Sequence, residues 1–252
     1  MHMIKEAIKF LQDLSIRPNE RFVDSVDESG VKRTFVIDNL GNHNEIRPLI
    51  SRAAEPLEVN TLTGMIGYIK ANLEKQQANF YLQVFDERTV HLKGVLDVEG
   101  RRETLVTAKA IIPKFHYEHF HQTEELIIAL QSKFTPTSDR EVLLKVVGNV
   151  QEEDVRQTGD TGFAQAVTIK TGIASADDVL VPNPVTLAPY RTFLEVNQPT
   201  SEFIFRMKKG PTGAIFEADG GAWRNQAIAN VRDYLEEKLK EEIKNGKVTI
   251  IA

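Results

Sequence analysis

Residues 189–223 read PYRTFLEVNQPTSEFIFRMKKGPTGAIFEADGGAW, three strand-like runs that lead straight into an amphipathic helix. Turn residues Asn197-Gln198-Pro199-Thr200 and Lys208 to Gly213 separate the runs, which predicts a three-stranded antiparallel meander. From Ala222 onward, Trp223, Ala227, Ile228, Val231, Leu235, Leu239 and Ile243 trace one helical stripe, with charge on the reverse face between Glu236 and Lys244. A stripe of that length has to be covered by a sheet or by other helices, so the C-terminal third demands a packed α+β core.

The rest of the chain supplies such partners. Ile4, Ala7, Ile8, Leu11 and Leu14 predict a short N-terminal helix, and 21–26 and 31–37 predict a hairpin around Asp27-Glu28-Ser29-Gly30. Residues 39–56 lack a period and contain Gly41, Pro48 and Pro56, which predicts a connection or small cap. Asn60-Thr61 opens a helix carrying Leu62, Met65, Ile66, Ile69 and Leu73, and Gly64 and Gly67 inside it imply close packing against a neighbour. Phe80 to Val84, Thr89 to Gly94 and Thr104 to Ala110 alternate as strands, and a helix through Leu126 to Phe134 completes a β-β-β-α unit. A second helix starts at Ser138, residues 151–162 read as a loop, and 163–173 alternate as a strand. Asn245-Gly246 ends the last helix before a short strand over 247–251.

The expected fold is therefore α+β: antiparallel sheets, namely the β-β-β-α unit and the C-terminal meander, packed with about five helices that include the long C-terminal one. Residues 1–56 are expected to form an N-terminal helix-plus-hairpin arm or cap. Residues 57–252 would form the main domain, with a division into subdomains near 150–160 as the alternative.

Composition excludes several chemistries. None of the 252 residues is cysteine, which removes disulfides, thiolate nucleophiles and Cys-based zinc or iron–sulfur centres, and makes reducing cytoplasm the expected location. A net charge of −5 is not the footprint of a protein that grips duplex nucleic acid through many phosphates, although a local basic face is compatible with it. No apolar run approaches the roughly 20 residues needed to span a bilayer, so no membrane partner is expected.

Four places bear chemistry. His116, His119 and His121 lie within six residues; on a strand His119 and His121 would share a face, but exposed loop histidines are the simpler reading, and neither a metal nor another cofactor is expected. Asp219-Gly220-Gly221 could offer backbone N–H groups to an anion, but the Asp219 carboxylate is expected to occupy them as a cap. Arg191, Glu195, Arg206 and Glu217 form either an ion-pair ladder across adjacent strands or a polar pocket. Lys93, Arg101, Arg102 and Lys109, beside Tyr81 and His91, mix cations with rings in the way single-stranded nucleic acid is bound, diluted by Glu87, Glu99 and Glu103. No phosphate-binding glycine motif or nucleophile elbow is present, and no catalytic residue can be named.

The phrases PYRTFLEVNQP, FIFRM and FEADGGAW, with TLTGMIGYIKAN and LIIALQSKF before them, resemble an uncharacterised phage and prophage protein family, the one that includes the prophage protein YfdQ. The likeness spans about two thirds of the chain and is weaker over residues 1–55. It implies a phage or prophage origin and a place in the cytoplasm of a bacterial host, and it carries no catalytic residues across. The expectation is a non-catalytic binding or assembly module, homo-oligomeric through the sticky N-terminal helix. The alternatives are an enzyme of phage nucleic-acid or nucleotide metabolism centred on Arg191, Glu195, Arg206 and Glu217, and a single-stranded nucleic-acid binding protein.

Overall fold

A computed structural model describes residues 22–26, 32–37, 41–46, 53–72, 79–97, 100–149, 165–171, 175–208, 210 and 212–252. The predicted helix over 4–14, the turn at 27–30 and the loop over 151–162 lie outside the described residues. The chain divides into two compact units, 1–53 with 96–101, and 54–95 with 102–252. No described helix is long and apolar enough to cross a membrane.

The described part of the smaller unit holds a three-stranded antiparallel meander. β1 (Phe22–Val26) and β2 (Lys32–Ile37) form the expected hairpin. The 39–56 stretch is more than a connection, because His43–Ile46 pairs with β2 as β3. Its composition of His, Asn and Glu hides it: an exposed edge strand needs no apolar alternation.

The larger unit is α+β, built on a five-stranded sheet and a four-stranded sheet. In the first, β5 (Phe80–Asp86), β6 (Thr89–Gly94) and β7 (Thr104–Lys109) run antiparallel. Two strands distant in sequence complete it in parallel: β4 (Leu57–Val59) beside β7, and β14 (Val248–Ile251) beside β5. The pleat sends Phe80, Leu82, Val84, Val90 and Leu92 inward. There they meet α1 (Leu62–Ala71) and α4 (Trp223–Lys238), whose stripe Val231, Leu235 and then Leu239 is fully buried in the same core. The C-terminal stripe is not one helix. It breaks at Leu239 and resumes as α5 (Lys240–Lys244).

α1 begins as its sequence requires, with the Thr61 hydroxyl accepting from the Gly64 N–H at 3.0 Å. It ends at Asn72, which takes the left-handed conformation at φ 44°. Of its two glycines only Gly64 is closely packed: a Cβ there would stand 3.1 Å from Thr61 Oγ1 and 3.4 Å from Val59 Cβ, whereas at Gly67 it would meet nothing.

The four-stranded antiparallel sheet runs in the order β11 (Val185–Leu187), β12 (Ser201–Lys208), β13 (Thr212–Glu217), β8 (His121–Gln122). Ser201, Phe203, Phe205 and Met207 face its core, covered by α2 (Thr123–Lys133) and α3 (Ser138–Asn149). Gly213 permits the close approach of α2, since a Cβ there would collide with Leu126 Cδ2 at 2.6 Å. A hairpin of β9 (Gln165–Thr171) and β10 (Ser175–Val181) precedes β11, and Val181 is buried in the same core.

The meander therefore exists, displaced from its expected position. Its first strand is β11, and residues 188–200, where a strand carrying Arg191 and Glu195 was expected, form an irregular clasp. Pro189 makes a single bridge to Phe134, and Phe193 and Val196 leave the clasp for the core of the five-stranded sheet.

Candidate functional site

The clasp has an internal scaffold that its sequence does not advertise. The Gln198 side chain accepts from the N–H groups of Arg191 at 2.8 Å and Thr192 at 3.2 Å. It also donates to the carbonyls of Phe193 at 3.0 Å and Val196 at 3.2 Å. One amide thus stands in for the sheet ladder that this stretch lacks.

Arg191 is held at the centre of that clasp, only 3% exposed. Its Nη1 donates to Glu217 Oε1 at 3.1 Å, and its Nη2 donates to the Ser201 hydroxyl and, at 3.5 Å, to the Pro199 carbonyl. The guanidinium carbon lies 3.9 Å from the centre of the Trp223 ring and 5.6 Å from that of Phe203. Burial pulls the Arg191 pKa down, while Tyr117, Glu217 and Asp219 oppose it. Tyr117 is stacked on Phe203 at 5.7 Å, and burial pushes its hydroxyl up to about 12. Arg191 Nε and Trp223 Nε1 are buried without a hydrogen-bond partner among the described residues.

Asp219 behaves as its sequence context suggests. Its carboxylate accepts from the N–H groups of Gly221 at 3.0 Å and Trp223 at 3.3 Å, and so occupies the donors at the entry to α4. Burial raises its pKa, but the hydrogen bonds from Gly221, Ser201 and Trp223, with the charge of Arg191, outweigh that and hold it below the ordinary carboxylate value. Gly220 and Gly221 both have positive φ, 61° and 84°, as the tight turn requires.

The four residues expected to converge do not. Arg191 and Glu217 form the one ion pair among them. Glu195 points to α1, where it accepts from the Thr63 N–H at 3.2 Å and faces the Thr63 hydroxyl at 3.4 Å, supplementing the cap at Thr61. Arg206 pairs with Ala214 across the sheet, while Glu217 pairs with Phe203, so the pleat puts Arg206 and Glu217 on opposite faces. Arg206 Nη1 is buried with no partner among the described residues. Neither the four-membered ladder nor the four-membered pocket is formed. Ser201, Tyr117, Gln198 and Trp223, which complete the Arg191 environment, carry no spacing signal that would have picked them out.

The histidine run is not the strand that a shared face would need, since β8 is only His121–Gln122. His121 Nε2 lies 2.8 Å from the His116 carbonyl and its ring stacks on Phe115 at 5.0 Å. These side chains, with Glu125, Ile128 and Lys133, line a cleft of about 320 Å³. Among the described residues no group of three His, Asp or Glu side chains could hold a metal ion.

The basic set is better assembled. β5 and β6 pair so that Tyr81 opposes Lys93 and Gln83 opposes His91, all on the face of the five-stranded sheet that points away from its core. Phe85, 63% exposed, continues the row on β5, with its ring 5.6 Å from that of His91. Lys109 on β7 opposes Thr89, and the Arg102 guanidinium lies over the Tyr81 ring at 4.9 Å. Arg101 belongs to the smaller unit. Glu58 on β4 reaches Lys109 at 3.6 Å. Phe85, the most exposed ring of the row, follows the Tyr81 and Gln83 alternation onto the same face.

No protein-family model, curated protein or solved structure matches the chain.

Proposed function

We propose that the protein is a non-catalytic binding or assembly module of phage or prophage origin, working in the cytoplasm of a bacterial host through the outer face of its five-stranded sheet. The observation that carries this reading is the composition of that face. A sheet that had only to be solvated would present short polar side chains there, yet this one presents Tyr81, Phe85 and His91 among Lys93, Lys109 and Arg102. Rings kept at a surface cost solvation and are characteristic of binding faces.

The polar centre supports the same reading by its construction. A group that binds or turns over a substrate needs donors that remain available, and both terminal nitrogens of Arg191 are engaged, by Glu217 and by Ser201 and Pro199, while its Nε is buried. Glu195 is engaged in capping α1. The phage origin rests on the resemblance carried by PYRTFLEVNQP, FIFRM and FEADGGAW.

The test is a turnover panel of nucleotides, single- and double-stranded nucleic acids and simple phosphoesters, run with and without divalent metal. No turnover is expected. A turnover that disappears in Glu217→Gln, with the fold intact by circular dichroism, would overturn the reading in favour of an enzyme.

A further inference from the structure

We propose that the outer face of the five-stranded sheet binds single-stranded nucleic acid, with Tyr81 and Phe85 as stacking platforms and Lys93, Lys109 and Arg102 as phosphate contacts. This rests on the binding-module reading and gives its ligand a chemical class.

Geometry comes first. Tyr81 and Phe85 lie four residues apart on one face of β5, and His91 sits beside them on β6, opposite Gln83. Same-face neighbours along a strand are about 6.6 Å apart and adjacent strands about 4.8 Å apart, so the rings form a strip able to seat two or three unstacked bases. A paired duplex hides its base faces and cannot use such a strip, whereas a single strand can, with little regard to sequence because every base has a flat face.

Charge comes second. Lys93 stands next to Tyr81 across the strands, Arg102 lies over that ring, and Lys109 flanks Thr89 beyond His91. Against them stand Glu58, paired with Lys109, and Asp86, which accepts from the Arg88 N–H. Lys93 and Arg102 stand at the Tyr81 end of the row and Lys109 at its other end, so positive charge flanks the rings on both sides, where the phosphates of a strand crossing the face would lie. The His91 pKa is lowered by burial first, then by Lys93 and Lys109, with Asp86 opposing. The His91 Nδ1 lies 3.1 Å from the Thr107 hydroxyl, which fixes the ring beside Phe85. This choice of ligand over a protein partner is made by the cations: an apolar protein surface would gain from Phe85 and Ile251, 49% exposed, but would have to desolvate the cationic groups without compensation.

The test is fluorescence anisotropy of a labelled oligothymidylate of roughly 20 nucleotides, with a hairpin duplex of equal length as the comparison. Three phosphate contacts predict a log–log salt slope of about −2, or about fifteenfold weaker binding between roughly 50 and 200 mM salt. Phe85→Ala is expected to weaken binding about tenfold, a stacked base being the loss, and the exposed position of Phe85 keeps the fold intact. Lys93→Glu combined with Lys109→Glu is expected to weaken it further and flatten the salt slope, while Lys208→Glu on the four-stranded sheet leaves it unchanged. Absence of binding to the oligothymidylate overturns the proposal, as does binding that none of the sheet-face substitutions moves, or binding to the duplex at equal strength. If the oligonucleotide does not bind and the turnover panel is also blank, the single-strand ligand is lost but the module reading stands. Turnover lost in Glu217→Gln removes the latter whatever the binding result.

Discussion

Arg191 is a charged residue used as a core residue. Its guanidinium is stacked on Trp223, hydrogen-bonded on two nitrogens and almost fully removed from water, while its partner Glu217 keeps a third of its side chain exposed. That asymmetry decides what substitution does. Arg191→Ala removes the filling of the clasp and opens a cavity against Trp223, and is expected to cost about 3 kcal/mol in urea denaturation. Arg191→Met keeps most of the volume against Trp223 and lets Glu217 turn to solvent, so it is expected to cost less than about half as much. Equal losses in the two variants would show that the charge, rather than the packing, holds the clasp. Asp219 gives the complementary case at low pH. Its folded pKa is depressed, so its contribution is present above the unfolded value of about 3.9 and disappears as pH falls through the lower folded value. Asp219→Asn should therefore be less stable than the parent at neutral pH, with the gap closing below about pH 4 when both are unfolded by urea across a pH series. The Arg191–Glu217 pairing was legible from the sequence as one of the pairs an ion ladder would contain. The failure of Glu195 and Arg206 to join it was not, because it depends on the parity of one strand and on the clasp having no strand at all.

At the scale of elements, periodicity read well wherever one face is buried and the other wet. β5, β6, β12 and α1 all follow their apolar spacing, and the turns on either side of β12 and the Thr61 cap of α1 fall where the sequence names them. It failed where a different physical device replaces that pattern. β3 is an exposed strand of polar residues, and the clasp satisfies its backbone through Gln198, so its apolar residues Phe193 and Val196 are anchors rather than an alternating face. The two glycines of α1 divide in the same way. Both were expected to mark close packing, and only Gly64 has neighbours that a methyl group would press on. Gly67→Ala is expected to raise stability by about 1 kcal/mol, since it removes backbone freedom from the unfolded chain at a helical position with open space around it. Gly64→Ala should forfeit that gain, because the new methyl group crowds the hydroxyl of Thr61 that caps the helix. Thermal denaturation of the two variants side by side makes the comparison; a Gly64→Ala protein as stabilised as Gly67→Ala would mean that the contact with Thr61 and Val59 relaxes freely.

At the scale of the larger unit, two hydrophobic cores share one fastening. The five-stranded sheet closes around Leu82, Leu92, Val231 and Leu235, and the four-stranded sheet around Leu130, Leu187, Phe203 and Phe205. The clasp joins them: Phe193 and Val196 belong to the first core, Arg191 is tied to Ser201 and Glu217 of the second sheet, and the Thr192 hydroxyl donates to the Glu87 carbonyl at 2.5 Å. Trp223 lies under Arg191 at the start of α4, which packs on the first core, so the only tryptophan of the chain reports on both. Were the cores independent, a cavity in one would leave the transition of the other in place. With a buried fastening they should melt together. Leu82→Ala and Leu187→Ala, each removing a side chain that is fully buried, are expected to cost about 2–5 kcal/mol apiece. Both should lower the urea midpoint seen by Trp223 fluorescence. They should also lower, by the same amount, the main midpoint seen by far-ultraviolet circular dichroism, which reports on the helices of both cores. In the background of Arg191→Ala the fastening is cut, and the two substitutions should then separate: Leu82→Ala would still move the fluorescence transition through α4, while Leu187→Ala would move mainly the part of the dichroism that comes from α2 and α3. A single shared transition that persists in the Arg191→Ala background would mean that the cores are coupled by their own packing, and that the clasp only covers the seam.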